Sequence, residues 1–378
     1  MSGPLRQSLR MAATRPMAFP YSWLLMLVFV VLDWVLLRIV GFGAGDWSPL
    51  WTAGRLAWSN PARLYDFAYV TELQAPILEN VGVRPFVYPP TALLLLAPAA
   101  LLPFRMSFLL LAIGSCAALA LATTRDWTTR LLLIASPPVV LAVMTGQPSL
   151  LVCALAALGI ARLKDREMSA GALLAVAALL KPTLLLLLPV GLIAGRHWRA
   201  VAAASVTSAI LFALSVLLFG FSPWLDWVQA LPRFRDIFDS YPALHRNGIT
   251  PYALALGMGA ASQWITLAIL PAVIAAAAFA FRRTDDWRIR FVAIVGGSLL
   301  ASPYAMHYEL AALAPVVATM RRDRPMDLIV PLVWAASLFV NAGLAGLVAV
   351  YAWAAFRLGA DTAQRVPLLP DPRPCPQH

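Results

Sequence analysis

Tyr21-Ser-Trp-Leu-Leu-Met-Leu-Val-Phe-Val-Val-Leu-Asp33-Trp-Val-Leu-Leu-Arg38-Ile-Val40 is the stretch on which the fold turns. A helix of about 20 apolar residues, rising about 1.5 Å at each, covers a hydrocarbon core of about 30 Å. Arg6, Arg10 and Arg15 precede the run and no small-residue cleavage site follows it. The run also exceeds the roughly 7–15 apolar residues of a secretory signal. It reads as an uncleaved first span, with residues 1–20 forming a cytoplasmic N-terminal segment.

Similar runs recur along the chain, and composition explains why. Of 378 residues, 61% are hydrophobic and only 12% are charged, too few charges to clothe a soluble domain of this size. Candidate spans fall at 21–41, 88–104, 106–123, 128–144, 148–162, 169–195 (long enough to be two short helices broken at Lys181-Pro182), 199–219, 264–281, 288–302, 307–320, 327–342 and 344–357. Several are shorter than about 20 residues, so tilted or partial helices are expected. The expected fold is an all-α polytopic membrane protein with about 10–12 transmembrane or partial helices, filling residues 21–357. The proline-rich segment 358–378 has too little apolar content to pack and is expected to be disordered.

The net charge of +11 does not imply nucleic acid, because the arginines gather in short clusters between apolar runs. Arg162-Leu-Lys-Asp-Arg166, Arg196-His-Trp-Arg199, Arg282-Arg283 with Arg288 and Arg290, and Arg321-Arg322-Asp-Arg324 suit cytoplasmic turns. That assignment sends 42–87, 145–148, 220–263 and 303–307 to the opposite face. An even number of complete crossings between Tyr88 and Arg125 would break the pattern, so 88–104, interrupted by Pro98 and Pro103, is expected to be re-entrant or interfacial. In the first outer loop, helices at about 47–59 and 67–79 are separated at Asn60-Pro61. Trp47, Trp51, Leu56 and Trp58 suit helices in the membrane interface.

Residues able to do chemistry are few, and each has a plainer alternative. Asp46 follows the Gly41-Phe-Gly43-Ala-Gly45 segment directly after the first span and is positioned either to take a proton from an acceptor hydroxyl or to cap a helix. Tyr88-Pro89-Pro90 starts a helix. Lys181, one of two lysines, sits inside an apolar run, where an ammonium costs on the order of 2.5–3.5 kcal/mol. It needs a partner, either a lipid-linked phosphate or Asp33. Gly146-Gln147-Pro148 offers an amide at an outer turn. Ser302-Pro303-Tyr304-Ala-Met-His307-Tyr308-Glu309 brings an imidazole, phenols and a carboxylate to the same face; His307 either serves a leaving phosphate or caps a helix. In the second long loop, His245 and Arg246 are candidates for holding phosphate or sugar. Cys116 and Cys153 lie in apolar runs and Cys375 in the tail, and the histidines are scattered, so no metal site is expected.

In order, Asp46, Leu64-Tyr65-Asp66, Phe86-Val-Tyr88-Pro89-Pro90, Pro98, Leu102-Pro103, Gly146-Gln147, Ala170-Gly171, Lys181, Arg196-His-Trp-Arg-Ala200 and Ser302-Pro303 before His307-Tyr308 resemble glycosyltransferase family 87. This family of GT-C superfamily membrane enzymes includes polyprenol-phosphomannose-dependent α-mannosyltransferases. The resemblance covers about Tyr21 to Arg324. It implies that Asp46 and His307 are catalytic, and that Lys181, Tyr88, Gln147, Tyr304, His245 and Arg246 contact substrate. It further implies no cofactor, a polyprenyl-phosphate sugar as donor, a lipid or glycan as acceptor, and a site on the non-cytoplasmic side of the cell membrane. The late motif departs from the family by lacking a Trp before its histidine segment. A polytopic transporter or lipid flippase is the alternative reading, because intramembrane charges also mark substrate pathways.

Overall fold

The computed structural model describes residues 19–40, 45–77, 84–259, 262–320, 324–340 and 342–363. Residues 1–18 and the tail from 364 onward lie outside them, as do the glycine-rich 41–44 and the basic 321–323. Helix α1 (Phe19–Val40) is followed by the first loop, with α2 (Trp47–Ser59) and α3 (Phe67–Gln74). Next come α4 (Leu93–Ala99), α5 (Phe104–Thr123), α6 (Trp127–Ile134), α7 (Pro137–Thr145), α8 (Ser149–Arg162), α9 (Glu167–Leu180), α10 (Leu188–Ala194) and α11 (Trp198–Phe219). The second loop carries α12 (Ser222–Ser240), α13 (Pro242–Arg246) and α14 (Pro251–Gly257). The chain closes with α15 (Ser262–Arg283), α16 (Trp287–Phe291), α17 (Gly297–Ala301), α18 (Ala314–Thr319), α19 (Pro325–Ala336) and α20 (Gly343–Ala363). Among the described residues there is no strand, only an isolated antiparallel bridge between Gly248 and Met306.

Five helices, α1, α5, α11, α15 and α20, are long and apolar enough to cross a membrane, and α6 with α7 makes a sixth if that pair, bent by 56°, is one span. Four shorter apolar segments, Pro90–Ala99, α8, α9 and α19, fill the spaces between them. The protein is thus an all-α polytopic membrane protein. Exposed leucines on α11, such as Leu217 and Leu218, suit a helix whose outer face meets lipid.

Several expected spans are broken, and prolines account for the clearest cases. The run 128–144 bends at Ser136, whose extended ψ of 136° is the conformation a following proline imposes. The run 169–195 parts at Lys181-Pro182 as expected, with Lys181 outside the α region at φ −147° and ψ 85° before the proline. Pro90–Ala99, at about 1.5 Å per residue, is only about 15 Å long and does not span. The run 288–302 contains a π-helical turn at Val292–Gly296, and 307–320 is a 3₁₀ turn, His307–Leu313, followed by the short α18. The final helix continues through Ala363, past the expected limit of 357.

The first loop is packed into the body rather than lying loose on the interface. Trp47, Leu50, Ala53 and Leu56 of α2 are buried in one cluster with Leu93 and Leu96 of α4. Trp227 of α12 donates to the Val87 carbonyl at 3.1 Å, tying the second loop over the first. Gly171 lets α9 approach α11 closely, since a Cβ there would stand 2.2 Å from the Ala200 carbonyl oxygen. Small residues permit such contacts between membrane helices.

Candidate active site

Asp46 stands at the N-cap of α2, yet its side chain makes no capping hydrogen bond. Its backbone N–H donates to the Thr145 carbonyl at 2.9 Å, fastening the start of α2 to the end of α7. The carboxylate is thereby left for other partners. Oδ1 accepts from Arg84 Nη1 at 2.9 Å and Oδ2 from Gln147 Nε2 at 2.9 Å. Arg84 is held from behind: Gln74, fully buried, donates to the Arg84 carbonyl at 2.9 Å and accepts from Ser48 Oγ at 2.6 Å.

Gln147 owes its place to Gly146, which ends α7 with φ of 82°, the left-handed conformation that glycine adopts without strain. The Gln147 amide meets Asp46 through nitrogen. Its oxygen accepts from Lys181 Nζ at 3.2 Å and from the Tyr88 hydroxyl at 3.3 Å. Turning the amide over would set its N–H groups against an ammonium and its oxygen against a carboxylate, so the charges on either side dictate the orientation.

Lys181 ends α9 and points into this cluster. Nζ donates to Ser149 Oγ at 2.8 Å, to Gln147 and, in a short ion pair, to Glu309 Oε1. The rings of Tyr88 and Tyr308 lie 5.5 and 5.9 Å from the ammonium, favourable positions for a cation. The partner expected for Lys181 is therefore supplied by Glu309 and not by Asp33, whose buried Oδ1 makes no hydrogen bond.

A backbone pairing between the second loop and the late segment positions His307. Ile249 N–H donates to the Ala305 carbonyl at 2.9 Å and His307 N–H to the Asn247 carbonyl at 2.9 Å. The imidazole Nδ1–H also reaches the Asn247 carbonyl at 3.3 Å, which leaves Nε2 as the free ring nitrogen. Burial pushes the imidazole below its ordinary value, against the opposing effects of the Asn247 carbonyl and the nearby charge of Asp46. Tyr304 packs against Phe234 and Phe238 at ring distances of 4.8 and 5.0 Å, with its hydroxyl 3.4 Å from that of Tyr308. Burial pushes the Tyr304 phenol up, so it acts as a neutral donor.

Asp46, Tyr88, Gln147 and Lys181 are thus linked directly, with Tyr304 and His307 beside them. His245 is spent elsewhere, its Nε2 bonded at 2.8 Å to the Phe238 carbonyl of α12. Arg246 is exposed at the end of α13. Arg84, Ser149, Asn247 and Glu309 complete the cluster without having been singled out from the sequence. Only Glu309 had a visible signal, as a carboxylate in the late polar segment. Among the described residues no three of His, Cys, Asp and Glu gather as metal ligands would.

The far ends of the same helices carry a different network. His197 Nδ1 lies 3.0 Å from Glu167 at the start of α9, and Arg290 pairs with Asp285 at 2.8 Å. Helix α9 separates this basic cluster from Lys181 by about 21 Å.

Fold and site together define a polytopic membrane protein with a carboxylate and cations gathered where its loops converge. A sequence model of glycosyltransferase family 87 matches residues 86–303, and the chain belongs to that family. It is a membrane-embedded glycosyltransferase, which settles the choice against a transporter or flippase. No curated protein and no solved structure matches the chain.

Proposed function

We propose that this enzyme moves a mannose-like hexose from a polyprenyl-phosphate sugar to a lipid or glycan acceptor on the non-cytoplasmic face of the cell membrane. The observation that carries this reading is the Asp46 carboxylate, which caps nothing and is instead aimed by Gln147 and Arg84 into a cluster formed by the loops. This cluster lies at the opposite helix ends from the arginine-rich turns, and such turns favour the cytoplasm.

In this mechanism Asp46 takes the proton of the acceptor hydroxyl as that oxygen bonds to the anomeric carbon. The bond from that carbon to the phosphate oxygen breaks, and its electron pair leaves with the polyprenyl phosphate. A single displacement inverts the anomeric centre. Arg84 meets the charge that gathers on the leaving phosphate, while the unprotonated Nε2 of His307 accepts a hydrogen bond from a sugar or acceptor hydroxyl. Tyr88 and Tyr304 offer hydroxyls and ring faces to the sugar.

Membranes containing the enzyme are incubated with radiolabelled polyprenyl-phosphate hexoses. Label should pass to an acceptor with release of polyprenyl phosphate, and Asp46→Asn should lose at least about 100-fold of that rate while remaining inserted and folded. Sustained turnover by Asp46→Asn would remove Asp46 from the mechanism.

A further inference from the structure

We infer that Glu309 is a positioning residue for glycosyl transfer, acting on Asp46 through Lys181 and Gln147. The inference rests on the reading of Asp46 as the base. An unbroken series of contacts joins the two carboxylates: Glu309 Oε1 accepts from Lys181 Nζ, which lies 3.2 Å from Gln147 Oε1, while Gln147 Nε2 lies 2.9 Å from Asp46 Oδ2. An ammonium has three hydrogens, and Glu309, Ser149 and Gln147 supply an acceptor for each. Lys181 therefore has no donor left for a substrate phosphate. Diverting it would strand Glu309, which is 3% exposed, as a buried unpaired charge.

The second oxygen of Glu309 shows that more than packing is involved. Oε2 is buried and makes no hydrogen bond, a standing cost that an apolar side chain at this position would avoid. What the carboxylate contributes is its charge. Lys181 is needed to hold the Gln147 oxygen, and so to point the Gln147 nitrogen at Asp46, but an uncompensated ammonium nearby would make Asp46 a weaker base. Glu309 cancels that charge while keeping the lysine in place. It lies on the same 3₁₀ turn that begins with His307, so this turn supports both the base and the imidazole.

Transfer is measured with the full-length enzyme in membranes or detergent, using a polyprenyl-phosphate hexose as probe. Glu309→Gln should lower kcat by about 10–100-fold with donor KM nearly unchanged. Lys181→Met should also lower kcat at unchanged donor KM. Glu309→Asp, which keeps the charge on a shorter arm, should recover part of the lost rate, and it replaces Glu309→Gln if the latter does not fold. A rise in donor KM with kcat intact would make the pair a donor-binding site and overturn the inference. So would a loss of thermal stability alone, with kcat per folded enzyme unmoved. Asp46→Asn, run alongside, separates the two readings: if it turns over, the assignment of the base fails, whereas if it is inactive and Glu309→Gln is normal, only the role of Glu309 fails.

Discussion

Gln147 and Asp46 stand 101 positions apart in the chain, and their side chains meet at 2.9 Å, amide nitrogen to carboxylate oxygen. The contact unites the turn after α7 with the residue before α2. Replacing Gln147 with Leu removes the amide at both ends, freeing the Asp46 carboxylate to turn and leaving one Lys181 hydrogen without an acceptor. Loss of a preorganised contact of this kind lowers kcat by about 100-fold, to be read as single-turnover transfer from a saturating donor.

Gly146 is the hinge of that turn. A side chain there meets both a φ of 82° and the Trp47 Cβ, 2.6 Å from where its own Cβ would stand. Gly146→Ala should destabilise the protein by at least about 2 kcal/mol. Thermal unfolding in detergent should show a lower midpoint, and transfer activity should fall with it as α2 is pushed away from α7.

Arg196 presents the reverse case. It is the one non-glycine residue with positive φ, 57°, among the described residues, and it lies just after α10, where His197 N–H returns to the Leu192 carbonyl at 2.9 Å. Glycine is the usual occupant of this position. Arg196→Gly should stabilise the fold by about 1 kcal/mol, seen as a rise in unfolding temperature of about 1–2 °C with kcat unaltered.

His307 makes stability depend on pH. Burial holds its folded pKa below the unfolded value, so the unfolded chain binds the proton more tightly. Its contribution is complete above the unfolded value of about 6.5 and is lost as pH falls from there through the lower folded value. Between pH 7.5 and 5.5 the wild-type unfolding midpoint should drop further than that of His307→Asn, and equal slopes for the two proteins would count against a buried neutral imidazole.

Much of the architecture was legible because it follows from local sums. The runs of Leu, Ala and Val that define α1, α5, α11 and α15 need no partner to declare themselves, and the break at Lys181-Pro182 follows from the geometry of proline. The span at 128–144 looked continuous because hydropathy is blind to the 56° bend that Pro137 introduces. At the site, Asp46, Lys181 and His307 stood out as charges in greasy surroundings, but Arg84 looked like an ordinary loop arginine. Glu309 was visible without an assigned role. The capping alternative for Asp46 fell only because its side chain makes no hydrogen bond to the helix it precedes.

The sequence by itself determined that this chain lives in a membrane, that one of its spans breaks at Lys181-Pro182, and which residues are costly enough to need a reason. Only the tertiary structure decided who meets whom: Lys181 with Glu309 across 128 positions, Asp46 with Arg84 and Gln147, and His307 with Asn247. The physical reason is that burying a hydrophobic residue depends on its own surface, whereas offsetting a buried charge depends on an opposite charge arriving within hydrogen-bonding distance. That arrival is set by how the helices pack.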